Sequence, residues 1–141
     1  MIHDFYIVTK PHSGSHMLAS AINSHPDVSC GGEYGFVDRR APYGEGQVVG
    51  CITHMKAFNS ARGSVSLDDV DKVIVLVRHD GNDLMAFTRD KDRLILCYEE
   101  MTDNRNIREL PDKDAANICR FLNVKYHPLF PAMKKNKVAI V

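Results

Sequence analysis

The chain has 141 residues, of which 44% are hydrophobic and 26% are charged, and this balance predicts a single folded domain over residues 1–141. Its 18 Lys and Arg residues equal its 18 Asp and Glu residues in number, so no net charge draws the whole molecule to nucleic acid or to an acidic membrane. No apolar run is long enough to cross a bilayer. An anion that binds must therefore be held by a local group of residues.

The cysteines form no Cys-x-x-Cys pair, which argues against a zinc knuckle or a thioredoxin-type redox site. The spacing of the histidines and cysteines does not indicate a metal site either. Met1 leads straight into the first predicted strand without a signal peptide. We therefore expect reduced thiols in a cytoplasmic protein, at Cys30, Cys51, Cys97 and Cys119.

The first half of the chain predicts two strands and a helix. An apolar run over residues 5–8 predicts the first strand, and residues 13–24 have the composition of a helix that stops before Pro26. Residues 25–46 are rich in Gly and Pro, so we expect them to be largely loop. Residues 47–54 predict a second strand.

The second half carries the strongest strand signal. Residues 72–78 predict a strand, and their unbroken apolar run over residues 73–77 suggests that it is buried on both faces in a parallel sheet. Residues 83–88 predict a short helix, residues 93–98 another strand, and residues 113–122 a helix capped by Asp112. The expected buried positions of this last helix are Ala116, Cys119, Phe121 and Leu122.

Alternation of strands and helices predicts an α/β domain with three layers around a mainly parallel sheet. Residues 138–141 are either a last edge strand or a frayed end. Ligands of such sheets lie beyond the carboxyl ends of the strands. The loops after Val8 and after Val77 are both expected to lie at those carboxyl ends.

The loop after the first strand has the layout of an anion cradle, because loop amides and a helix N-terminus direct N–H groups into one space. Further donors are offered by Lys10, His12, Ser13 and Ser15. The loop has only Gly14 and no Gly-Lys-Ser/Thr ending, which disfavours an ordinary nucleoside-triphosphatase or a small kinase. The same residues also fit a plain strand-to-helix turn with Ser13 as its N-cap, which needs no ligand.

The order of motifs resembles the sulfotransferase family, whose members move a sulfuryl group from 3′-phosphoadenosine 5′-phosphosulfate (PAPS) to an acceptor. Residues 10–16 (KPHSGSH) look like the family's 5′-phosphosulfate loop. Residues 25–33 (HPDVSCGGE) are similar to the stretch that closely follows it in tyrosylprotein and many bacterial sulfotransferases. Residues 73–78 with 83–87 look like the strand and helix that hold the cofactor's 3′-phosphate. Residues 94–101 and 118–124 resemble the family's Tyr-Glu-Asp-Leu strand and the helix behind it.

This resemblance implies a reduced, P-loop-like sulfotransferase fold, PAPS as the cofactor and a role for each matching residue. Arg78 corresponds to the arginine that holds the 3′-phosphate, while Lys10 and His12 would stabilise the leaving phosphate oxygen. Glu33 and His54 compete for the role of base, and we favour Glu33 because the motif around it is longer. No metal is required. The residues expected to hold the 5′-phosphosulfate are Ser13, Gly14, Ser15 and His16, with Lys10 and His12 beside them.

Three substitutions depart from the family pattern. His12 replaces a Lys or Arg, His16 replaces a Thr, and Ala86 replaces a Ser that binds the 3′-phosphate; Thr88 replaces that Ser only if the helix is displaced. The chain is also short where acceptor pockets are usually built. Either a large acceptor docks on the surface, or a second subunit completes the pocket in a homodimer, or the protein is a catalytically degenerate nucleotide- or partner-binding module of the same fold.

Overall fold

The computed structural model describes residues 4–10, 14–33, 48–54, 67, 70–78 and 82–131. They build one five-stranded sheet in the order β2-β3-β1-β4-β5, in which every neighbouring pair is parallel. The predicted α/β class with a parallel sheet is therefore confirmed. The strands are β1 (Phe5–Thr9), β2 (Val28–Glu33), β3 (Val48–His54), β4 (Lys72–Val77) and β5 (Asp92–Cys97).

Four helices are described between and after these strands. The helix that follows β1 begins one residue after Gly14, and the short helix after β5 begins at the very next residue. Two parallel strands that follow one another in the chain need a crossover connection, because the chain must return to the same starting edge of the sheet. The helices are α1 (Ser15–Asn23), α2 (Asn82–Phe87), α3 (Tyr98–Thr102) and α4 (Asp112–Phe121).

Apolar side chains alternate between the two faces of the sheet and build a core on each. One face packs against α1 and α4 through side chains such as Leu18 and Ile118. The other packs against Val70 and against Leu84 of α2. Crossovers of one hand place a helix on opposite faces when they run in opposite directions. The path from β1 to β2 and the path from β4 to β5 run in opposite directions, which explains the two covered faces.

The expectation that residues 25–46 are largely loop is wrong for its first part, because residues 28–33 form β2. Gly31 and Gly32 weaken the sequence signal for a strand. The pairing with β3 is nonetheless made, with an irregular register between Cys30 and Glu33. The amide of Cys30 also donates to Asn23 Oδ1 at 2.9 Å, which attaches β2 to the end of α1.

The helix ends differ from the sequence predictions by one or two residues. Gly14, rather than Ser13, is the N-cap of α1. Pro111 is the N-cap of α4, so Asp112 is its first residue and makes no side-chain cap. Asp112 still lies where a carboxylate favours the helix dipole.

Two further corrections concern burial and the end of β5. The fully buried positions of the last helix and its cap are Ala115, Ile118, Cys119 and Leu122. The expected Ala116 and Phe121 are only half-buried. The fifth strand ends at Cys97, and the residues of the Tyr-Glu-Asp-Leu-like segment begin α3 instead of continuing the strand.

Candidate functional site

The parallel sheet brings the candidate residues of four separate segments to one edge. Lys10 directly follows β1, Glu33 is the last residue of β2, and His54 is the last residue of β3. Arg78 directly follows β4. Since carboxyl ends of parallel strands share an edge, these four backbone positions lie along the same side of the sheet.

The position along this edge where β1 and β4 meet is the one at which α/β sheets bind ligands. The two strands are neighbours. The chain leaves β1 towards β2 on one side and leaves β4 towards β5 on the other. Ligands of open α/β sheets bind outside the carboxyl ends at such a point of divergence. We call this place, flanked by Lys10 and Arg78, the β1–β4 edge.

Gly14 is the described end of the turn between β1 and α1, and the helix follows it directly. Gly14 has φ +86° and ψ 19°, a left-handed conformation that favours glycine. Its carbonyl accepts the amide of Leu18 at 3.1 Å, so the helix begins immediately after it. The first turn of α1 holds no acidic side chain. The N–H groups and the positive dipole end of α1 therefore face the edge without a carboxylate of their own helix to repel an anion.

Arg78 and Gly14 contact the same aromatic ring. The guanidinium Cζ of Arg78 lies 4.2 Å from the centroid of the Tyr98 ring. A Cβ added to Gly14 would lie 2.5 Å from Tyr98 Cδ2, so the ring occupies the space next to this glycine. Tyr98 thus joins the turn after β1 to the arginine after β4. Sequence reasoning did not select Tyr98 as a site residue, because Gly14 and Tyr98 are distant in the chain.

The other predicted residues of the loop are placed as far as the structure describes them. Lys10 is half-buried, Ser15 is 4% exposed, and His16 is exposed on the first turn of α1. His12 and Ser13 lie outside the described residues. The structure therefore brings Lys10 and the start of α1 to the β1–β4 edge and leaves the middle of the loop undescribed.

The two candidate bases differ in how far their backbones lie from β1. His54 pairs with Thr9, one strand spacing or about 5 Å away. Glu33 pairs with Ile52, so it lies two strand spacings, about 10 Å, from β1. Their side chains lie outside the described part of the structure. Backbone position thus places His54 nearer to the β1–β4 edge than Glu33.

No family, relative or solved structure matches. Comparison of the chain with protein-family models, with curated proteins and with solved structures found nothing similar. Within the described ranges, three or more His, Cys, Asp or Glu side chains nowhere gather as metal ligands would. Across the same residues, no helix has the length and apolar character needed to cross a membrane.

Thr88 has a structural role, and Ala86 lacks the hydroxyl that a 3′-phosphate site would use. Thr88 is fully buried. Its hydroxyl donates a hydrogen bond to the carbonyl oxygen of Leu84 at 2.8 Å and accepts one from Nη1 of Arg93 at 3.3 Å. This hydroxyl serves the end of α2. Ala86 is exposed and carries no donor. The β4–α2 segment therefore offers neither of the hydroxyls considered for a 3′-phosphate.

The described cysteines are free thiols. Burial raises the pKa of the Cys30 thiol, and the neighbouring Cys51 raises it further. Cys30 consequently stays protonated at neutral pH, and a protonated thiol is a poor nucleophile and a poor metal ligand. Of the four thiols, which were expected to be mostly buried, Cys51 and Cys119 are buried and Cys30 and Cys97 are half-buried.

Proposed function

We propose that the chain binds PAPS at the β1–β4 edge and transfers its sulfuryl group to a hydroxyl or amine, as a small P-loop-like sulfotransferase. One observation carries the proposal. Two segments resemble the family's anion-binding elements: the loop that follows β1 and the strand β4 with Arg78 after it. Because β1 and β4 are adjacent parallel strands, this loop and Arg78 lie at the same edge of the sheet.

The residues at this edge fit a ligand with two separate anionic groups. The amides at the start of α1 and the Ser15 hydroxyl suit the 5′-phosphosulfate, because a helix N-terminus favours negative charge. Arg78 suits the 3′-phosphate, because a guanidinium matches phosphate oxygens with its planar fork. Both elements contact Tyr98, so they lie close enough to hold one ligand.

Bound PAPS supplies the sulfuryl group, whose sulfur gains a bond to the acceptor atom while its bond to the bridging phosphate oxygen breaks. Lys10 and His12 stabilise the negative charge left on the phosphate. Glu33 or His54 accepts the proton that the acceptor loses. The nearer backbone of His54 supports it as the first base to examine, while the longer motif supports Glu33.

Calorimetric titration with 3′-phosphoadenosine 5′-phosphate tests the cofactor site. We expect micromolar binding that Arg78→Ala weakens about tenfold or more, since a hydrogen-bonded charge pair contributes roughly 1.5–3 kcal/mol. Arg89→Ala is the matched control, because Arg89 is an exposed arginine after α2, at the opposite edge of the sheet. Equal affinity for ATP, or equal binding by wild type and Arg78→Ala, contradicts the proposal.

The substitutions His12, His16 and Ala86 favour a second candidate, a nucleotide-binding module that has lost catalysis. Both candidates predict nucleotide binding, so turnover separates them. We expect sulfuryl transfer from PAPS to at least one member of a panel of phenols, alcohols and amines, with loss of rate in either Glu33→Gln or His54→Ala. Binding without transfer to any member supports the module.

A further inference from the structure

We propose that Tyr98 is a positioning residue of the nucleotide site, whose ring holds the start of α1 and the Arg78 guanidinium in one fixed arrangement. The inference rests on the proposed function and adds a residue to it. The observation that carries it is that a single half-buried ring contacts both Gly14 and Arg78.

Strand register explains the contact with Arg78. Val77 pairs with Cys97 at the ends of β4 and β5. Arg78 directly follows Val77 and Tyr98 directly follows Cys97, so the two residues lie side by side where their strands end. The guanidinium stacks on the ring face at 4.2 Å from its centroid, an arrangement in which the ring's negative face attracts the cation. The position of Arg78 is therefore fixed by β5 as well as by β4.

The contact with Gly14 depends on the absence of a side chain there. The ring fills the volume that any Cβ at Gly14 would need. Gly14 also supplies the carbonyl that accepts the first described α1 bond, from Leu18. The ring thus rests against the residue that sets where α1 begins and where its first amides point.

The affinity of a ligand that binds both the start of α1 and Arg78 depends on the distance between them. The amides of α1 and the guanidinium of Arg78 belong to different strand–helix units, and the Tyr98 ring contacts Arg78 and the glycine that precedes α1. Loss of the ring leaves every proposed phosphate donor in place but frees their relative position. The expected consequence is a selective loss of ligands that use both elements at once.

Three variants test this in the full chain. Tyr98→Phe keeps the ring, Tyr98→Leu keeps apolar volume without an aromatic face, and Tyr126→Leu removes an exposed tyrosine elsewhere as the control. The probes are 3′-phosphoadenosine 5′-phosphate and adenosine 5′-phosphate, which lacks the 3′ group. Tyr98→Phe and Tyr126→Leu are expected to bind both within about threefold of wild type. Tyr98→Leu is expected to lose about tenfold for the bisphosphate and little for the monophosphate.

A second measurement needs no ligand. The rate of amide hydrogen exchange at Leu18 reports whether its hydrogen bond to the carbonyl of Gly14 at the start of α1 is kept. The NMR order parameter of the Arg78 Nε–H reports how rigidly the guanidinium is held. Faster exchange and lower order in Tyr98→Leu, with Tyr98→Phe unchanged, support the inference.

The outcomes separate the two proposals. If wild type ignores the bisphosphate but Tyr98→Leu loosens both reporters, the proposed function fails and the positioning role stands. If wild type binds the bisphosphate and Tyr98→Leu binds it equally well, the positioning role is overturned and the function stands. If both reporters are unchanged in Tyr98→Leu, the positioning role is overturned whatever the protein binds.

Discussion

The phenyl ring of Phe5 lies directly over Gly50 on the neighbouring strand. The two residues are paired in the register of β1 and β3. A Cβ at Gly50 would lie 2.5 Å from Phe5 Cε2, well inside van der Waals contact. Phe5 is fully buried in the core that packs against α1. The glycine in this strand therefore makes room for the phenyl ring of Phe5.

Gly50→Ala is expected to destabilise the protein by about 1–3 kcal/mol, because a fully buried ring must move to admit the methyl group. Urea unfolding of Gly50→Ala, Phe5→Leu and the double variant measures the coupling between the two sites. The alanine should cost less in the Phe5→Leu background, where the ring is absent. Additive losses would show that the ring does not limit the space at Gly50.

Thr53 carries a buried hydroxyl without a hydrogen-bond partner among the described residues. It is fully buried on β3 beside Val8. Burial of an unpaired hydroxyl costs about 1–3 kcal/mol, so we expect Thr53→Val, which keeps the shape, to raise the free energy of unfolding by about 1 kcal/mol. The control is Thr102→Val, which removes a hydroxyl bonded to Tyr98 O at 2.8 Å and should destabilise. A loss of stability in Thr53→Val would indicate an unseen partner.

His25 joins the turn after α1 to the chain that follows α4. Its Nδ1 accepts the amide of Asp27 at 3.0 Å, and its Nε2 donates to Lys125 O at 2.7 Å. Because Nδ1 faces the N–H donor of Asp27 and Nε2 faces the carbonyl acceptor of Lys125, the hydrogen of the ring lies on Nε2 and the imidazole is the neutral Nε2–H tautomer. Nitrogen chemical shifts of the imidazole are expected to show this tautomer.

His25→Phe keeps an aromatic ring but leaves the amide of Asp27 and the carbonyl of Lys125 unpaired. We expect a loss of about 1–3 kcal/mol in the free energy of unfolding, since each of the two lost hydrogen bonds contributes about 0.5–1.5 kcal/mol. His127→Phe is the matched control, because the His127 ring lies 5.4 Å from that of His25 and is only half-buried. Equal losses in both variants would contradict the assigned role of His25.

The raised pKa of Cys30 is expected to lower the free energy of unfolding at alkaline pH. Its folded-state pKa is raised by burial and by Cys51, whereas an unfolded thiol ionises near pH 8.5. Below that pH both states are protonated and the thiol adds no pH dependence. Above it the unfolded chain releases a proton that the folded chain keeps, so the free energy of unfolding falls by up to about 1.4 kcal/mol per pH unit.

Urea unfolding between pH 8 and pH 10 checks this expectation. The slope of stability against pH should be smaller in Cys30→Ala than in wild type. Cys119→Ala, which removes a buried thiol of α4, serves as the control. If Cys30→Ala keeps the wild-type slope, another group causes the alkaline loss.

Local sequence was sufficient where an element is continuous in the chain and strongly apolar. The strand over Lys72–Val77 was predicted to within one residue, because an apolar run that is buried on both faces has no competing pattern. The strand at Val28–Glu33 was missed because Gly31 and Gly32 have low strand propensity. Its formation depends on pairing with β3, which lies further along the chain.

The sequence by itself determined the α/β class, the turn after β1 and the arginine after the strongly apolar strand β4. Each depends on a short run of neighbouring residues, which is what local propensity and motif spacing encode. Only the tertiary structure decided that β1 and β4 are neighbours and that Tyr98 contacts both Gly14 and Arg78. Those contacts join residues that are distant in the chain, and strand order and register, which arise when the whole sheet packs, bring them together.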